Sequence, residues 1–399
     1  MTVHNTVGIH SHGRVPARTD SDELLSEFID RLFAHLPRAD QRNRSREYVT
    51  GLLTTPGKKS LRRMAAAVSD SPYASQALQQ FLNVSPWDWQ PTRRALADWA
   101  TRNRPTLTWS LGLAVLPKRG HHSAGVHRRY IRDVDRTVNC QLGVGLFLGS
   151  ADHSLPVDWR LALPGSWQTD EPRRAAARIP DDQTTPAEGA CALDLVRAQI
   201  AASGRQDIPV VVDLTEVPHD SSLLPGLATL GTGFVAQVPD RLAASLLSRQ
   251  SGPVAASEFL RGGTASPGFA FGVVPGTGGR ARSHVRTCAV RLADGVQRVP
   301  HRPCSLLVEQ PVSGRGARYF VTDLGQQRPS EILRLADTTH RTQEAVRNMH
   351  HHYGLRDFEG RSYLGWHHHM TLVSAAYAFS RLTGHGPAAE AAPVLPQAA

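Results

Sequence analysis

A short apolar strand that ends in an acid constrains the fold of this chain most strongly. Residues 209–213, PVVVD, are a run of valines that begins at a proline and closes on Asp213. They follow residues 190–203, whose pattern predicts a helix. A helix that leads into a fully apolar strand is typical of a sheet covered by helices. The sequence therefore predicts an α/β fold with Asp213 at the end of a buried strand.

The rest of the chain divides by composition into regions with different patterns. Helical periodicity between residues 21 and 103 predicts a helical N-terminal domain, and residues 104–232 alternate strands with helices. Glycine, proline and short β-like runs between 233 and 328 predict a β-rich insertion, with a flexible loop near 275–279. Residues 329–383 return to helical patterns and are expected to complete the core. The ends, 1–20 and 384–399, are expected to be disordered tails.

Charge and cysteine usage narrow the class of protein. Of 399 residues, 45 are Lys or Arg and 35 are Asp or Glu, which gives a formal net charge of +10 and a pI near 10.0. This sign favours a polyanionic partner such as nucleic acid, although an arginine-rich proteome would produce it too. The four cysteines are widely spaced, without a C-x-x-C pair, and predict reduced, buried thiols. No secretory signal or membrane-length apolar run is visible, so we expect a cytoplasmic protein with no membrane partner.

The longest distinctive motif lies near the C-terminus. Residues 358–372 read FEGRSYLGWHHHMTL, and further motifs precede them in the chain: YVTGLL at 48–53, LQQFL at 78–82, SPWD at 85–88, PKRGHHSAGVHRRY at 117–130, NCQ at 139–141 and LPGSW at 163–167. In this order the chain resembles the DDE transposases of bacterial insertion sequences, which belong to the DDE superfamily of endonucleases. The resemblance runs from about residue 46 to residue 382. It implies a ribonuclease-H-like mixed sheet with flanking helices.

That family cuts and joins DNA with an Asp-Asp-Glu triad that holds two divalent metals, and the resemblance maps the triad onto this chain. Counting back from the PKRG motif places the first acid at Gly112. The second acid corresponds to Asp213, and counting back from FEGR places the third at Gln343. Two of the three carboxylates are therefore replaced by residues without charge. Hard divalent cations need carboxylate oxygens, so we expect the catalytic site to be degenerate.

Other acids could substitute for the missing ones. Glu344 follows Gln343, but one step along a helix turns a side chain by roughly 100°. An active protein with a rearranged metal site would use Asp213 as a metal ligand together with Glu344 and an acid such as Asp133 or Asp135. The alternative is that Asp213 caps a turn and that Glu344 is a solvated helix carboxylate.

Basic residues and histidines are the remaining candidates for function. Phosphate contacts are expected from five residues around the two strongest motifs: Lys118, Arg119, Arg128, Arg129 and Arg361. A solvated basic hairpin is the alternative. The triplets 350–352 and 367–369 suggest metal binding, but three consecutive helical residues cannot converge on one ion, so packing or phosphate contact is the better interpretation of the second triplet. The tryptophans at 87, 89 and 99 are expected to anchor the core.

Three functions fit these observations. The first is a transposase-derived protein that binds duplex DNA and has lost strand cleavage, needing no cofactor. The second is an active transposase that uses Mg²⁺ at a rearranged site. The third is a scaffold that binds other proteins rather than DNA. The protein could also form a homodimer, a question that the sequence leaves open.

Overall fold

The computed structural model describes residues 18–131, 135–184, 187–215, 223–240, 242–246, 254–255, 257, 270–274, 282–292, 303–312 and 316–386. Asp133, the expected loop at 275–279 and most of both expected tails lie outside these residues. Arg18 to Asp20, which fall in the expected N-terminal tail, lie in a helix. In the described chain, none of the helices combines the length and the apolar character that a membrane crossing requires.

Five helices form the N-terminal part of the chain. They are α1 (Arg18–Leu32), α2 (Ala39–Thr54), α3 (Leu61–Val68), α4 (Ala74–Asn83) and α5 (Trp89–Asn103). Capping side chains begin two of them: the Ser60 hydroxyl accepts a hydrogen bond from the Arg63 amide, and the Asp88 carboxylate accepts one from the Gln90 amide. These helices occupy the region in which helical periodicity predicted a helical domain.

The described strands belong to one mixed sheet. Its first strands are β1 (Thr108–Pro117), β2 (His127–Ile131), β3 (Arg136–Gly149), β4 (Ser154–Leu161), β5 (Val210–Asp213) and β6 (Phe234–Val238). β1 pairs antiparallel with β3, which also pairs with β2 and β4, and β1, β5 and β6 run parallel to one another. The helices α6 (Glu171–Ala176), α7 (Glu188–Ser203) and α8 (Leu223–Thr229) connect β4 to β5 and β5 to β6. This arrangement confirms the predicted mixed α/β sheet.

The β-rich region extends the same sheet. It contributes β7 (Ala243–Leu246), β8 (Val254–Ala255), β9 (Ala270–Val274), β10 (Ser283–Leu292), β11 (Cys304–Pro311) and β12 (Arg318–Thr322). β12 pairs antiparallel with β6, so β6 is both the last parallel strand of the core and the attachment point of the insertion. The boundary expected at 233 therefore falls inside a continuous sheet, because glycine and proline frequency marks turns and not the partner that a strand pairs with.

Three helices close the fold: α9 (Pro329–Ala336), α10 (Thr338–His352) and α11 (Tyr363–Thr383). α10 packs over β1, β4 and β5, and α11 packs against β4 and against α2, α4 and α5 of the N-terminal domain. Nearly every side chain of α11 up to Ser380 is buried. A helix that is buried on all faces has packing partners on all faces. α11 therefore joins the helical domain and the sheet in one hydrophobic core.

Candidate functional site

The two strands predicted to carry the first two acids lie side by side. β1 and β5 run parallel with Leu111 opposite Val212, so Gly112 and Asp213 are neighbours at the next position. Side chains of adjacent parallel strands at matched positions point to the same face of the sheet. α10 covers that face and brings Gln343 onto Asp213. The three positions mapped from the resemblance therefore converge in the folded chain.

Both oxygens of the Asp213 carboxylate are already engaged. Oδ1 accepts hydrogen bonds from the Thr215 amide at 2.9 Å and from the Thr215 hydroxyl at 2.6 Å, and Oδ2 accepts one from the side-chain amide of Gln343 at 3.0 Å. The first two contacts make a turn in which an aspartate binds the chain two residues ahead. Thr215 was not among the predicted site residues, although the Asp-x-Thr spacing after a strand is a sequence signal for this turn.

The position of Gly112 has no space for a side chain. A Cβ atom added there would lie 2.7 Å from the methyl group of Thr342 and 3.0 Å from the ring of Phe147. The Thr342 hydroxyl, 2.7 Å from that of Ser110 and 2.6 Å from that of Ser154, holds α10 against β1 and β4. The close approach of α10 at Gly112 is therefore fixed by buried hydrogen bonds.

The candidate substitutes for the missing acids lie elsewhere. Glu344 is exposed, and its charge acts on Tyr377 of α11: burial raises the pKa of that phenol, and Glu344 contributes in the same direction. Asp135 lies at the tip of the β2–β3 hairpin, ten residues along β3 from Gly145, the partner of Gly112. At about 3.3 Å per residue this separation is roughly 30 Å. Asp135 therefore cannot share a metal with Asp213, which corrects that part of the rearranged-site hypothesis.

The described side chains do not suit a pair of divalent cations. Mg²⁺ is bound by oxygen atoms, whereas Gln343 turns its NH₂ group towards Asp213 and Gly112 offers no atom. No group of three His, Cys, Asp or Glu residues positioned for a metal occurs in the part of the chain that the structure describes. What the arrangement does chemically is hold one carboxylate with three neutral donors.

The five basic residues expected to contact phosphate separate into two groups. Lys118 donates to the Phe358 carbonyl and lies over the Phe358 ring, and burial lowers the pKa of its ammonium to about 8. Arg129 is largely buried and forms an ion pair with Glu188. Arg119, Arg128 and Arg361 are exposed. Only the last three present their guanidinium groups to solvent.

The C-terminal histidine triplet is buried. His367 stacks on Trp89 at 4.5 Å and accepts a hydrogen bond from Arg93, and His368 stacks on Trp87 at 3.8 Å. His369 faces the hydroxyl of Tyr48 through Nδ1 at 2.9 Å. Packing therefore explains this triplet, and its burial excludes phosphate contact. The interpretation of Trp87 and Trp89 as core anchors agrees with these contacts.

Arg93 is a buried residue that no sequence motif indicated. Its guanidinium donates to Asp158 of β4, to the Thr371 hydroxyl and to the His367 backbone carbonyl. Burial is the main effect on its pKa, which is lowered to about 10. An arginine on the helix after SPWD gave no signal by itself, because its partners are distant in the sequence.

Comparisons with known proteins identify a family whose matched region includes the parallel strands β1 and β5. A family model described as DDE superfamily endonuclease matches residues 31–255, which include β1 with Gly112 and β5 with Asp213. Among solved structures, the chain is similar to the cryo-EM structure of a piggyBac transposase synaptic complex with hairpin DNA. That similarity has a TM-score of 0.42 and 12% sequence identity, and it covers 91% of this chain and 73% of that chain. No match to a curated protein was found. The family match over more than half of the sequence, with the parallel β1–β5 pair and the helix over it, shows that the chain belongs to the DDE superfamily endonuclease family and has its ribonuclease-H-like fold.

Proposed function

We propose that this protein is derived from an insertion-sequence transposase, that it binds duplex DNA and that it does not cleave it. The proposed loss of cleavage rests on the hydrogen bonds that the Asp213 carboxylate makes. Its carboxylate, the one acid left of the mapped triad, already accepts hydrogen bonds from the Thr215 amide and hydroxyl and from the Gln343 amide. A metal ion at Asp213 would compete with these donors and would gain no second carboxylate from the described neighbours.

The chemistry of the family explains why this loss is decisive. Two metals about 3.5–4 Å apart activate the attacking oxygen and stabilise the leaving one. Carboxylates from several positions offset the repulsion between two dications. Gln343 supplies a neutral amide and Gly112 supplies nothing. Because the residues do not fit the metals, no cleavage step follows from this site, and the protein is proposed to be a pseudoenzyme without a metal cofactor.

DNA binding is supported by charge and by exposure. The formal net charge is +10, and Arg119, Arg128 and Arg361 are exposed beside the family's most distinctive motifs. Contacts to phosphates from arginine position a protein on DNA without reading its sequence. We also propose that the protein is cytoplasmic, that it originates from an insertion sequence and that it acts as a monomer or a homodimer.

The experiment is fluorescence anisotropy with a labelled 30-base-pair duplex, titrated with the full chain at several salt concentrations and with EDTA or Mg²⁺. We expect binding at low salt in both buffers and a steep loss of affinity as salt rises, because released counterions drive the association. Binding that requires Mg²⁺ would favour an intact metal site. Absence of binding at low salt would contradict the proposal and favour a protein-binding scaffold.

A further inference from the structure

We propose that one compact surface, formed by Arg119, Arg128 and Arg361 and called here the arginine surface, makes the principal contacts with the phosphate backbone of duplex DNA. The inference rests on the proposed DNA binding and goes further, because it assigns the contact to a defined place. The inference also excludes Lys118 and Arg129 from the DNA contact, although the sequence predicted phosphate contacts for them as well.

Asn139 of β3 brings the first two arginines together. Arg128 of β2 lies opposite Asn139 in the antiparallel pair, and the Lys118 amide donates to the Asn139 carbonyl on the other side at 2.8 Å. The Asn139 side chain also donates to the Gly120 carbonyl, which fixes the turn that carries Arg119. Strands are about 4.8 Å apart, so the Cα atoms of Lys118 and Arg128 are separated by about 10 Å. This is of the same order as the about 12 Å width of the major groove, so side chains here can reach phosphates on both strands.

Arg361 is attached to the same place by the backbone. The Ala124 amide donates to the Arg361 carbonyl at 2.9 Å, and the Ala124 carbonyl accepts a hydrogen bond from Gln141 at 2.7 Å. Gln141 is two residues from Asn139 on β3 and therefore points to the same face of the sheet. The FEGR motif and the PKRG motif, far apart in the sequence, thus meet at one end of β1 and β3.

Most charged neighbours of the arginine surface are already neutralised. Glu188 pairs with Arg129, and Glu359 pairs with Lys58 at 3.0 Å. Lys118 directs its ammonium to the Phe358 carbonyl. One exposed acid on the β2–β3 hairpin, Asp135, accepts a hydrogen bond from Tyr130 at the hairpin tip. Arg119, Arg128 and Arg361 therefore remain exposed without an acid of this group paired to them, and His121 and His122, which follow Arg119 in the sequence, are exposed too.

The basic residues of the N-terminal helices are less available. Arg44 pairs with Glu47, Arg46 with Asp30, and Arg42 donates to the Leu36 carbonyl. Within the described part of that domain, Arg62 and Arg63 are exposed on α3. Existing contacts must be broken before Arg42, Arg44 or Arg46 can bind phosphate, which leaves Arg62 and Arg63 as the competing candidates for a DNA contact on α3.

The arginine surface is distant from Asp213. From Gly112 to Pro117 β1 extends five residues, roughly 16 Å, before the turn that carries Arg119 begins. DNA held there does not need the metal site. Binding should therefore be retained in Asp213→Ala and in EDTA.

The test compares the salt dependence of duplex binding by three full-length proteins. The first is the native chain, the second is R119Q/R128Q/R361Q, and the third is the matched control R102Q/R104Q/R334Q. The control removes the same charge from arginines that are exposed outside the arginine surface. Each lost phosphate contact lowers the slope of log affinity against log salt by about 0.9. We expect the slope to fall by about 2 to 3 in the triple variant and by less than 1 in the control.

Four results decide the inference. R119K/R128K/R361K keeps the charge and should keep the slope, which separates electrostatic contact from misfolding. Equal losses in the triple variant and the control would mean that net charge alone acts and would overturn the arginine surface. An unchanged slope in the triple variant would overturn it while leaving the proposed DNA binding intact. A native chain that does not bind duplex at all would overturn both.

Discussion

The side-chain amide of Gln343 donates a hydrogen bond of 3.0 Å to Oδ2 of Asp213, across the gap between α10 and the end of β5. In the triad mapped from the sequence these are the third and second acidic positions. Where two carboxylates would need metals to offset their repulsion, an amide and a carboxylate attract each other directly. The replacement therefore stabilises the fold at the place where it removes the metal ligands.

Gln343→Glu should lower the stability of the protein at neutral pH. It replaces a donor to Asp213 by a second negative charge, and breaking a hydrogen bond to a partly buried charged group costs about 1–3 kcal/mol. Urea unfolding of the two proteins measures the difference. Glu344→Gln, on the exposed neighbour, is the control and should stay within about 0.5 kcal/mol of the native value. Equal stability of Q343E and the native protein would mean that the Gln343–Asp213 contact is absent in solution.

Gly112→Ala should destabilise the protein through overpacking. The added methyl group would lie 2.7 Å from Thr342 Cγ2 and 3.0 Å from the Phe147 ring, and overpacking of this kind costs about 1–3 kcal/mol. Thr342→Ser removes the obstructing methyl group and keeps the hydroxyl, so the double variant should recover part of the loss. Thermal unfolding of all four members of the cycle gives the coupling energy.

The control for this cycle is Gly272→Ala in β9, where an added Cβ meets no atom within 4 Å. It should cost much less than Gly112→Ala. Additive effects of G112A and T342S would contradict the close packing of α10 on β1. The same crowding predicts that G112D/Q343E, which restores both acids in the sequence, does not restore a working metal site.

The buried histidines should make the fold sensitive to acid. Burial lowers the pKa of His368 and of His369 to about 4, although backbone carbonyls act in the opposite direction, and burial lowers the pKa of His367 well below its usual 6.5. Between pH 6.5 and 4 the unfolded chain binds protons that the folded chain does not. Stability therefore falls as pH falls through this window, by roughly 4 kcal/mol per pH unit near pH 5 if three protons are taken up.

Chemical denaturation at a series of pH values measures this proton uptake. His369→Gln should reduce the uptake by about one proton, whereas His122→Gln, on an exposed side chain, should reduce it much less. A free energy of unfolding that does not change between pH 6.5 and 4.5 would show that His367, His368 and His369 are not buried as described.

Arg93→Met should destabilise the whole chain. The variant leaves Asp158 with Arg160 as its remaining ion-pair partner and removes one of the hydrogen-bond donors to the backbone carbonyls of Trp159 and His367. Removing one partner from a buried charge network costs about 3–5 kcal/mol. Because α11 belongs to the same core, the N-terminal helices and the sheet should unfold in one transition. Arg94→Met, on the adjacent exposed arginine, is the control, and a loss equal to that of Arg93→Met would contradict the network.

The sequence predicted the fold class and the convergence of Gly112, Asp213 and Gln343, since motif order and strand–helix alternation are local signals that a family preserves in its fold. It did not predict how the insertion attaches, because strand pairing between β6 and β12 joins residues about 85 apart. The sequence also did not predict the directions in which the side chains of the basic residues point. Lys118 and Arg129 look like phosphate ligands beside Arg119 and Arg128, and only the packing of Phe358 and Glu188 turns them inward.

Nicking of supercoiled plasmid DNA tests the central claim most directly. Purified native protein and Asp213→Ala are incubated with plasmid in Mg²⁺ and in Mn²⁺, and relaxed and linear products are quantified over time. We predict that both proteins bind the plasmid at low salt and that neither produces nicks above the level of buffer alone. Metal-dependent nicking by the native protein that disappears in Asp213→Ala would contradict this claim and would mean that Asp213 still holds a catalytic metal.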